Sequence, residues 1–288
     1  MGVNIQKISD YLAKTNCDYK NDVFEAVKEK DNSLVNFFLT MGFNIECTND
    51  FGETLLMAAI KHNNYELVEF LIKKNANVNA IENNYGSSVF QYACMFGTLE
   101  LVKKIIQKNV NIHYRDKKRM HAIHYATING NIELLRFLIN DVYKNKEIIL
   151  LKDFNGKNCL NYAIDYRHYN LVYFFAMLNK RALFVIDNFE RTLLINAVLK
   201  NAPIELIEFL VKNGVQVKKR DIFGKNIFDY VNSHRKYEEI IKSNLNQKGH
   251  NNEKLRIFYH RVKIVNRENA KLYAKNYAAI RTFKQPLA

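Results

Sequence analysis

The sequence predicts an all-α solenoid of about six to seven helix-turn-helix repeats with short β-hairpin loops, followed by a basic C-terminal helix. Three observations predict it. A string of the type "NDFGETLLMAA" (49–59) recurs as "NNYGSSVFQYA" (83–93), "DKKRMHAIHYA" (116–126), "DFNGKNCLNYA" (153–163), "DNFERTLLINA" (187–197) and "DIFGKNIFDYV" (221–231). Measured between the glycine-equivalent positions Gly52, Gly86, Arg119, Gly156, Glu190 and Gly224, the steps are 34, 33, 37, 34 and 34 residues, the period of a stacked array. The copies are followed by runs such as "YELVEFLIKKN" and "PIELIEFLVKNG", in which apolar residues fall at i, i+3, i+4 and i+7, the pattern of a helix with one buried face. Finally, two prolines and ten glycines among 288 residues leave few breakers, which favours helix over a strand-rich fold.

Taken in order, residues 1–19 are expected to form an N-terminal helical cap, with a helix near Ile5 to Lys14. The array occupies 20–245 and begins with a degenerate copy from Asp22, whose outer face would close the stack; with the caps included, seven repeats are expected. The hairpin glycines supply positive φ. Between the helices of a repeat comes a Gly or Asn turn, at Asn63, Gly97, Gly130 and Asn201. The second helices close on Asn75, Asn109, Asn179 or Gly214, residue types that accept the left-handed cap. The segment Asp141 to Asp153 carries the extra residues of the 37-residue step and predicts an irregularity between the fourth and fifth repeats. Residues 246–288 form a separate basic helical extension.

These strings resemble the ankyrin repeat family, whose signature is D-x-x-G-x-T-P-L-H-x-A followed by a second helix. The resemblance spans roughly residues 20 to 245 and implies an interaction module that presents its concave face to a protein partner. Departures are visible. The signature Thr is kept only at Thr54 and Thr192, and the His only at His124, being Met57, Gln91, Asn161, Ile195 and Asp229 elsewhere. In the family those side chains satisfy backbone groups near the hairpin, so their loss predicts a less regular and less stable array.

Several functions are disfavoured. Asp50-Phe51-Gly52 followed by Ala58-Ala59-Ile60-Lys61 mimics two kinase strings, but only 49 residues precede Asp50 and the lysine string follows it, the reverse of the kinase order. His121 and His124 lie i, i+3, and His124 reads as a hydrogen-bonded structural histidine. No phosphate-cradling glycine loop or nucleophile-base pair is legible, so no enzyme, no cofactor and no small-molecule substrate are expected. Cys17, Cys47, Cys94 and Cys159 lack C-x-x-C spacing, which argues against a zinc site and for reduced thiols. With no leader-like apolar region and no apolar window of about 18 residues, an intracellular, cytoplasmic location without a transmembrane segment is expected, with cytoskeletal or assembly association left open.

Function is therefore expected on the hairpin tips and the ends of the first helices. The residue before each tip position is Phe51, Tyr85, Lys118, Asn155, Phe189 or Phe223. Aromatic residues supply large contact area at low entropic cost. Such rings either fold back on the neighbouring hairpin or form a ladder of partner anchors; the second is the expectation taken forward. Lys61, Met95, Phe96, Tyr166 and Lys200 extend the same face. The second candidate is the tail. Its 246–288 segment has ten Lys/Arg against two acidic residues, a balance of +8, whereas the preceding residues hold 33 basic against 27 acidic, a balance of +6. Arg256, Arg261, Lys263, Arg267, Lys271 and Lys275 surround an apolar stripe, which either caps the last repeat or docks on an acidic protein surface or RNA. The leading expectation is a non-catalytic scaffold or adaptor. The alternative is a structural subunit of a polyanionic assembly, a microtubule or axonemal lattice or a ribosome, held mainly by the tail.

Overall fold

In a computed structural model, residues 19–231 and 235–246 are described. They form seven helix pairs in series. The first helices of the pairs are α1 (Tyr19–Glu29), α3 (Leu55–Lys61), α5 (Val89–Phe96), α7 (Ala122–Asn129), α9 (Cys159–Asp165), α11 (Leu193–Leu199) and α13 (Ile227–Tyr230). The second helices are α2 (Asn32–Thr40), α4 (Tyr65–Lys73), α6 (Leu99–Ile106), α8 (Ile132–Phe137), α10 (Tyr169–Leu178), α12 (Ile204–Lys212) and α14 (Arg235–Asn246). The expected helix at Ile5 to Lys14 and the basic tail lie outside the described residues.

The first helices of the five central repeats are buried on most sides, whereas the end helices α1 and α13 bury only Val23, Ala26 and Val27, and Ile227. In α3, Leu55 to Ile60 are all buried, because the helix is enclosed by its own second helix and by α1 and α5. The second helices bury one stripe only, as at Leu67, Val68 and Leu71 of α4. One continuous apolar core results, running from Val23 to Ile241.

The hairpins between repeats are short. Among the described residues the only strand-like pairings are the isolated antiparallel bridges Thr48 with Thr54, Ile81 with Ser88 and Arg115 with His121. Every tip residue takes positive φ, including the two that are not glycine: Gly52 +78°, Gly86 +73°, Arg119 +59°, Gly156 +77°, Glu190 +57° and Gly224 +72°. Asn75, Asn109 and Gly214 take the expected left-handed cap. Asn179 does not: at φ −154° it is extended, and its side chain caps the 3-10 turn Lys180–Phe184 instead. Gly97 departs likewise, with φ −87°, while Asn63, Gly130 and Asn201 are left-handed as expected. The extra residues of the fourth repeat are absorbed after α8, as a π turn over Leu138–Val142 and a 3-10 turn over Lys146–Leu150.

Expected irregularity from the lost Thr and His is only partly found, because other side chains do the same job. Ser88, Asn158 and Asn226 replace Thr as N-caps, and even His121 accepts from the Ile123 N–H through Nδ1. At the His position, Gln91, His124, Asn161 and Asp229 each accept the backbone N–H of the N-cap residue, at 2.8, 2.9, 3.1 and 2.7 Å, closing a capping box. Gln91 then donates from Nε2 to the Met120 carbonyl of the next repeat at 2.9 Å. His124 does the same to Leu151 O at 2.9 Å, and because its Nδ1 accepts, the proton must sit on Nε2. Asn161, one methylene shorter than Gln91, leaves its buried amide nitrogen without an acceptor.

Candidate functional site

The hairpin tips form one row, built by a repeated bonding scheme. At the base of each hairpin a buried carboxylate or amide folds the loop back. Asp153 Oδ1 accepts from Asn155 N and Lys157 N, Asp187 from Phe189 N and Arg191 N, and Asp221 from Phe223 N and Lys225 N. Asn49 and Glu82 serve the tips of the second and third repeats in the same way. The second carboxylate oxygen takes a side chain nine residues on: Tyr125 OH to Asp116 at 2.5 Å, Tyr162 OH to Asp153 at 2.8 Å, and Tyr230 OH to Asp221. Loop and first helix are thereby locked together.

Successive tips are also bonded to one another through the backbone. Lys117 N donates to Tyr85 O at 3.0 Å, Phe154 N to Lys118 O at 2.8 Å, Asn188 N to Asn155 O at 2.9 Å, and Ile222 N to Phe189 O at 3.0 Å. In every case the donor lies two residues before its tip residue and the acceptor one residue before the preceding tip. The geometry requires glycine where the next loop crosses closely: a Cβ would lie 2.6 Å from Asn83 N at Gly52 and 2.7 Å from Asn188 N at Gly156.

Of the expected anchors, Phe51, Tyr85, Phe189 and Phe223 are exposed, from 41% at Phe189 to 65% at Phe51 and Phe223. Lys118, Tyr166 and Lys200 are exposed as well. The rings are not bare. Lys61 Nζ lies 5.5 Å from the Phe51 ring centre, Lys118 Nζ 4.2 Å from Tyr85, and Arg191 Cζ 4.5 Å from Phe189, within cation–π range. Phe189 and Phe223 stack at 6.4 Å. The structure thus combines the two alternatives, with rings held by their own or neighbouring repeats and still open to solvent. Met95 and Phe96 differ from expectation: both are half-buried, Phe96 against the Tyr92 ring at 5.7 Å, because they close α5 against the core. Asn155 is not aromatic, yet Phe154 beside it is 65% exposed and fills the gap. A strict tip-minus-one register overlooks it; the string Asp153-Phe154-Asn155-Gly156 contains the signal.

Behind the tips runs a set of ion pairs. Glu53, almost fully buried, accepts from Lys61 Nζ at 2.7 Å, Asn49 Nδ2 at 2.8 Å and Tyr92 OH at 2.9 Å. Burial opposes its charge, but these hydrogen bonds outweigh it and hold the carboxyl below the ordinary glutamate range. Asp165 bridges Lys157 at 2.6 Å and Lys200 at 3.2 Å. Lys61 is therefore occupied by Glu53 and the Phe51 ring, which is structural use of the lysine in the kinase-like string. Burial pushes the Cys47 and Cys159 thiols up to about 12, so neither is a thiolate at neutral pH. Among the described residues no cluster of His, Cys, Asp and Glu suits a metal ion. The basic tail positions Arg256, Arg261, Lys263, Arg267, Lys271 and Lys275 lie outside the described residues.

Helix pairs in series, each closed by a tip with positive φ and bonded to the next, define a helical-repeat solenoid. The family model for ankyrin repeats matches in three copies, over residues 23–116, 90–182 and 123–221, and the chain belongs to the ankyrin repeat family. No curated protein matches the chain. Among solved structures it is similar to the ankyrin repeat domain of human ASB11, with a TM-score of 0.60 and 18% identity over 77% of this chain and 96% of that one. It is also similar to the ankyrin repeat domain of Bcl-3, a member of the IkappaB family, with a TM-score of 0.54 and 17% identity over 76% of this chain and 97% of that one. At such identities the likeness is one of fold. Ankyrin repeat domains are in general protein–protein interaction modules, and among the described residues no helix is long and apolar enough to cross a membrane.

Proposed function

We propose that this chain is a non-catalytic scaffold or adaptor that grips a protein partner along its hairpin tips and the ends of its first helices, the concave face of the array. The observation that carries this reading is the row of exposed rings, Phe51, Tyr85, Phe154, Phe189 and Phe223, on tips that the backbone bonds in series from Tyr85 to Phe223. A contiguous exposed aromatic row is the composition of an interface. Lys61, Lys118, Tyr166 and Lys200 border it, with Met95 and Phe96 supporting from beneath. The basic segment 246–288 makes a second contact, and the protein acts inside the cell, in the cytoplasm.

The test is crosslinking mass spectrometry in the native cell, with the wild-type chain and a variant carrying Ser at Phe51, Tyr85, Phe189 and Phe223. Loss of crosslinks on the tips with an unchanged helical CD signal supports the reading; an unchanged crosslink pattern overturns it. The tail's balance of +8 favours a second reading, a subunit of a polyanionic assembly such as a microtubule lattice or ribosome. Deleting 246–288 separates the two, since binding that survives the deletion and resists moderate salt excludes the second.

A further inference from the structure

The tip row is not electrically uniform, and the difference identifies the chemistry of its partner. The second tip has acids for its cations, Asp50 for Lys20 and Glu53 for Lys61, and the third, residues 81–88, contributes no cation of its own. From the fourth tip onward the balance changes. Arg115, Lys117, Lys118 and Arg119 are all exposed around one acid, Asp116, which is buried and takes its hydrogen bonds from Met120 N and Tyr125 OH. At the seventh tip Lys218, Arg220 and Lys225 are exposed around Asp221, equally buried and spent inside its own loop. Lys152 lies between them and bonds a backbone carbonyl. The one exposed acid on these tips, Glu190, is held by Lys219. The carboxylates of this half of the row thus face inward as loop staples, while the cations stay exposed, even where Lys117 reaches the Asn83 and Asn84 carbonyls, Lys118 the Tyr85 ring and Arg220 the Gly224 carbonyl.

We propose that the tips of the fourth to seventh repeats bind an extended acidic peptide segment of the partner, its carboxylates meeting the outward cations and its apolar side chains the rings of Phe154, Phe189 and Phe223. This deepens the interface reading above and rests on it. Spacing fits such an occupant. Each hairpin contributes two strand widths of about 4.8 Å, so tips recur about every 9–10 Å, which also matches helix packing at roughly 8–10 Å. An extended chain advances about 3.3 Å per residue, so every third residue meets a new tip, and about nine residues span the four tips. A single-stranded nucleic acid would also seek cations and rings, but it stacks its bases on open ring faces. Here Arg191 covers a face of Phe189, Lys118 a face of Tyr85, and Phe189 and Phe223 cover each other. Phe154 and Phe223 stay 65% exposed, and together with the exposed cations they suit the apolar side chains and carboxylates of a peptide.

The experiment measures fluorescence anisotropy of a labelled peptide of about twelve residues, built of Glu-Glu-Tyr triplets, against the full chain. Four proteins are compared: wild type, K118E/R119E with K218E/R220E, a control with the same charge change on the second helices and their ends (K73E/K108E/K104E/K212E), and a chain with Gln at Arg256, Arg261, Lys263, Arg267, Lys271 and Lys275. Glu190 already occupies the tip backbone that Arg119 uses, at φ +57°, and Lys118, Lys218 and Arg220 are exposed; the CD spectrum of the tip variant checks that it folds. The expected result is a loss of at least about tenfold in affinity for the tip variant and less than about threefold for the other two, with steep weakening in salt. Unchanged affinity in the tip variant, or loss confined to the tail variant, overturns the proposal. So does tighter binding of oligouridylate of equal length that the tip variant abolishes, which makes the row a nucleic-acid surface. If the Ser variant of the rings loses its native crosslinks while the tip charge variant keeps them, the interface reading stands and the acidic occupant falls.

Discussion

Replacing Gly156 and Gly224 separately by Ala tests the tip-to-tip bonding directly, because the two glycines share a backbone and differ in what crosses them. Their φ angles are +77° and +72°, so each alanine carries the same left-handed penalty, about 1 kcal/mol. At Gly224 no described atom lies within 4 Å of the added Cβ, and the cost ends there. At Gly156 the Cβ would meet Asn188 N at 2.7 Å and Asp187 C at 3.0 Å. Relief to ordinary contact at about 3.4 Å means moving the sixth hairpin outward by roughly 0.7 Å, at an overpacking cost of about 1–3 kcal/mol. That movement also stretches the 2.9 Å bond from Asn188 N to Asn155 O, forfeiting about 1 kcal/mol. The sum is about 3–5 kcal/mol for Gly156→Ala against about 1 kcal/mol for Gly224→Ala. Urea denaturation followed by CD reads the difference; with a slope near 3 kcal/mol/M, the two midpoints separate by roughly 1 M. Equal midpoints would refute the idea that successive tips are locked at backbone distance.

Two further outcomes follow from the inner network and the central repeat. Gln91→Met, which copies the residue at position 57, leaves Ser88 N and Met120 O without their partners at 2.8 and 2.9 Å and destabilises by about 2–4 kcal/mol, whereas Asn161→Leu loses one bond and costs about half as much, both read by chemical denaturation. His121 is buried, with His124, His113, Arg115 and Tyr143 around it; burial foremost, with neighbouring positive charge, lowers its pKa to about 3. The unfolded chain then binds one more proton than the folded one between about pH 6.5 and 3, so stability is complete above pH 6.5 and falls on acidification by about 1.4 kcal/mol per pH unit; His121→Asn, which retains a capping side chain, removes that share of the slope in melts taken across the range.

Much of this organisation is legible in the sequence because repetition averages out local noise. Register alone locates Arg119 and Glu190 as tip residues with positive φ, although neither is glycine. It also places Phe51, Tyr85, Phe189 and Phe223 on the exposed row. What escapes is chemistry that can be carried by different residues at one position. The missing Thr and His look like losses until Ser88 and Asn158 are seen to cap the helices, and Gln91 and Asn161 to accept the N-cap N–H as His124 does. A one-residue shift hides Phe154, and the end of α5 turns Met95 and Phe96 half inward where an exposed edge is expected. The pairing of Asp116, Asp153 and Asp221 with a tyrosine nine residues later repeats often enough to be read in advance, but each spacing is meaningful only once the loop is known to fold back over its helix.

The row of backbone bonds has a mechanical consequence. The first helices pack chiefly on one another, and the tips beside them are tied at 2.8–3.0 Å. On the opposite side of the central repeats, where α6 meets α8 and the fourth repeat carries its π turn, the helices are joined more sparsely, although α12 and α14 pack closely at the end of the array. A stack tied along one edge and loosely joined along the other bends about the tied edge. Changes in curvature therefore open and close the outer side while the spacing of the tips stays nearly fixed, and the array can be strained by its surroundings without losing the ruler that its tips present.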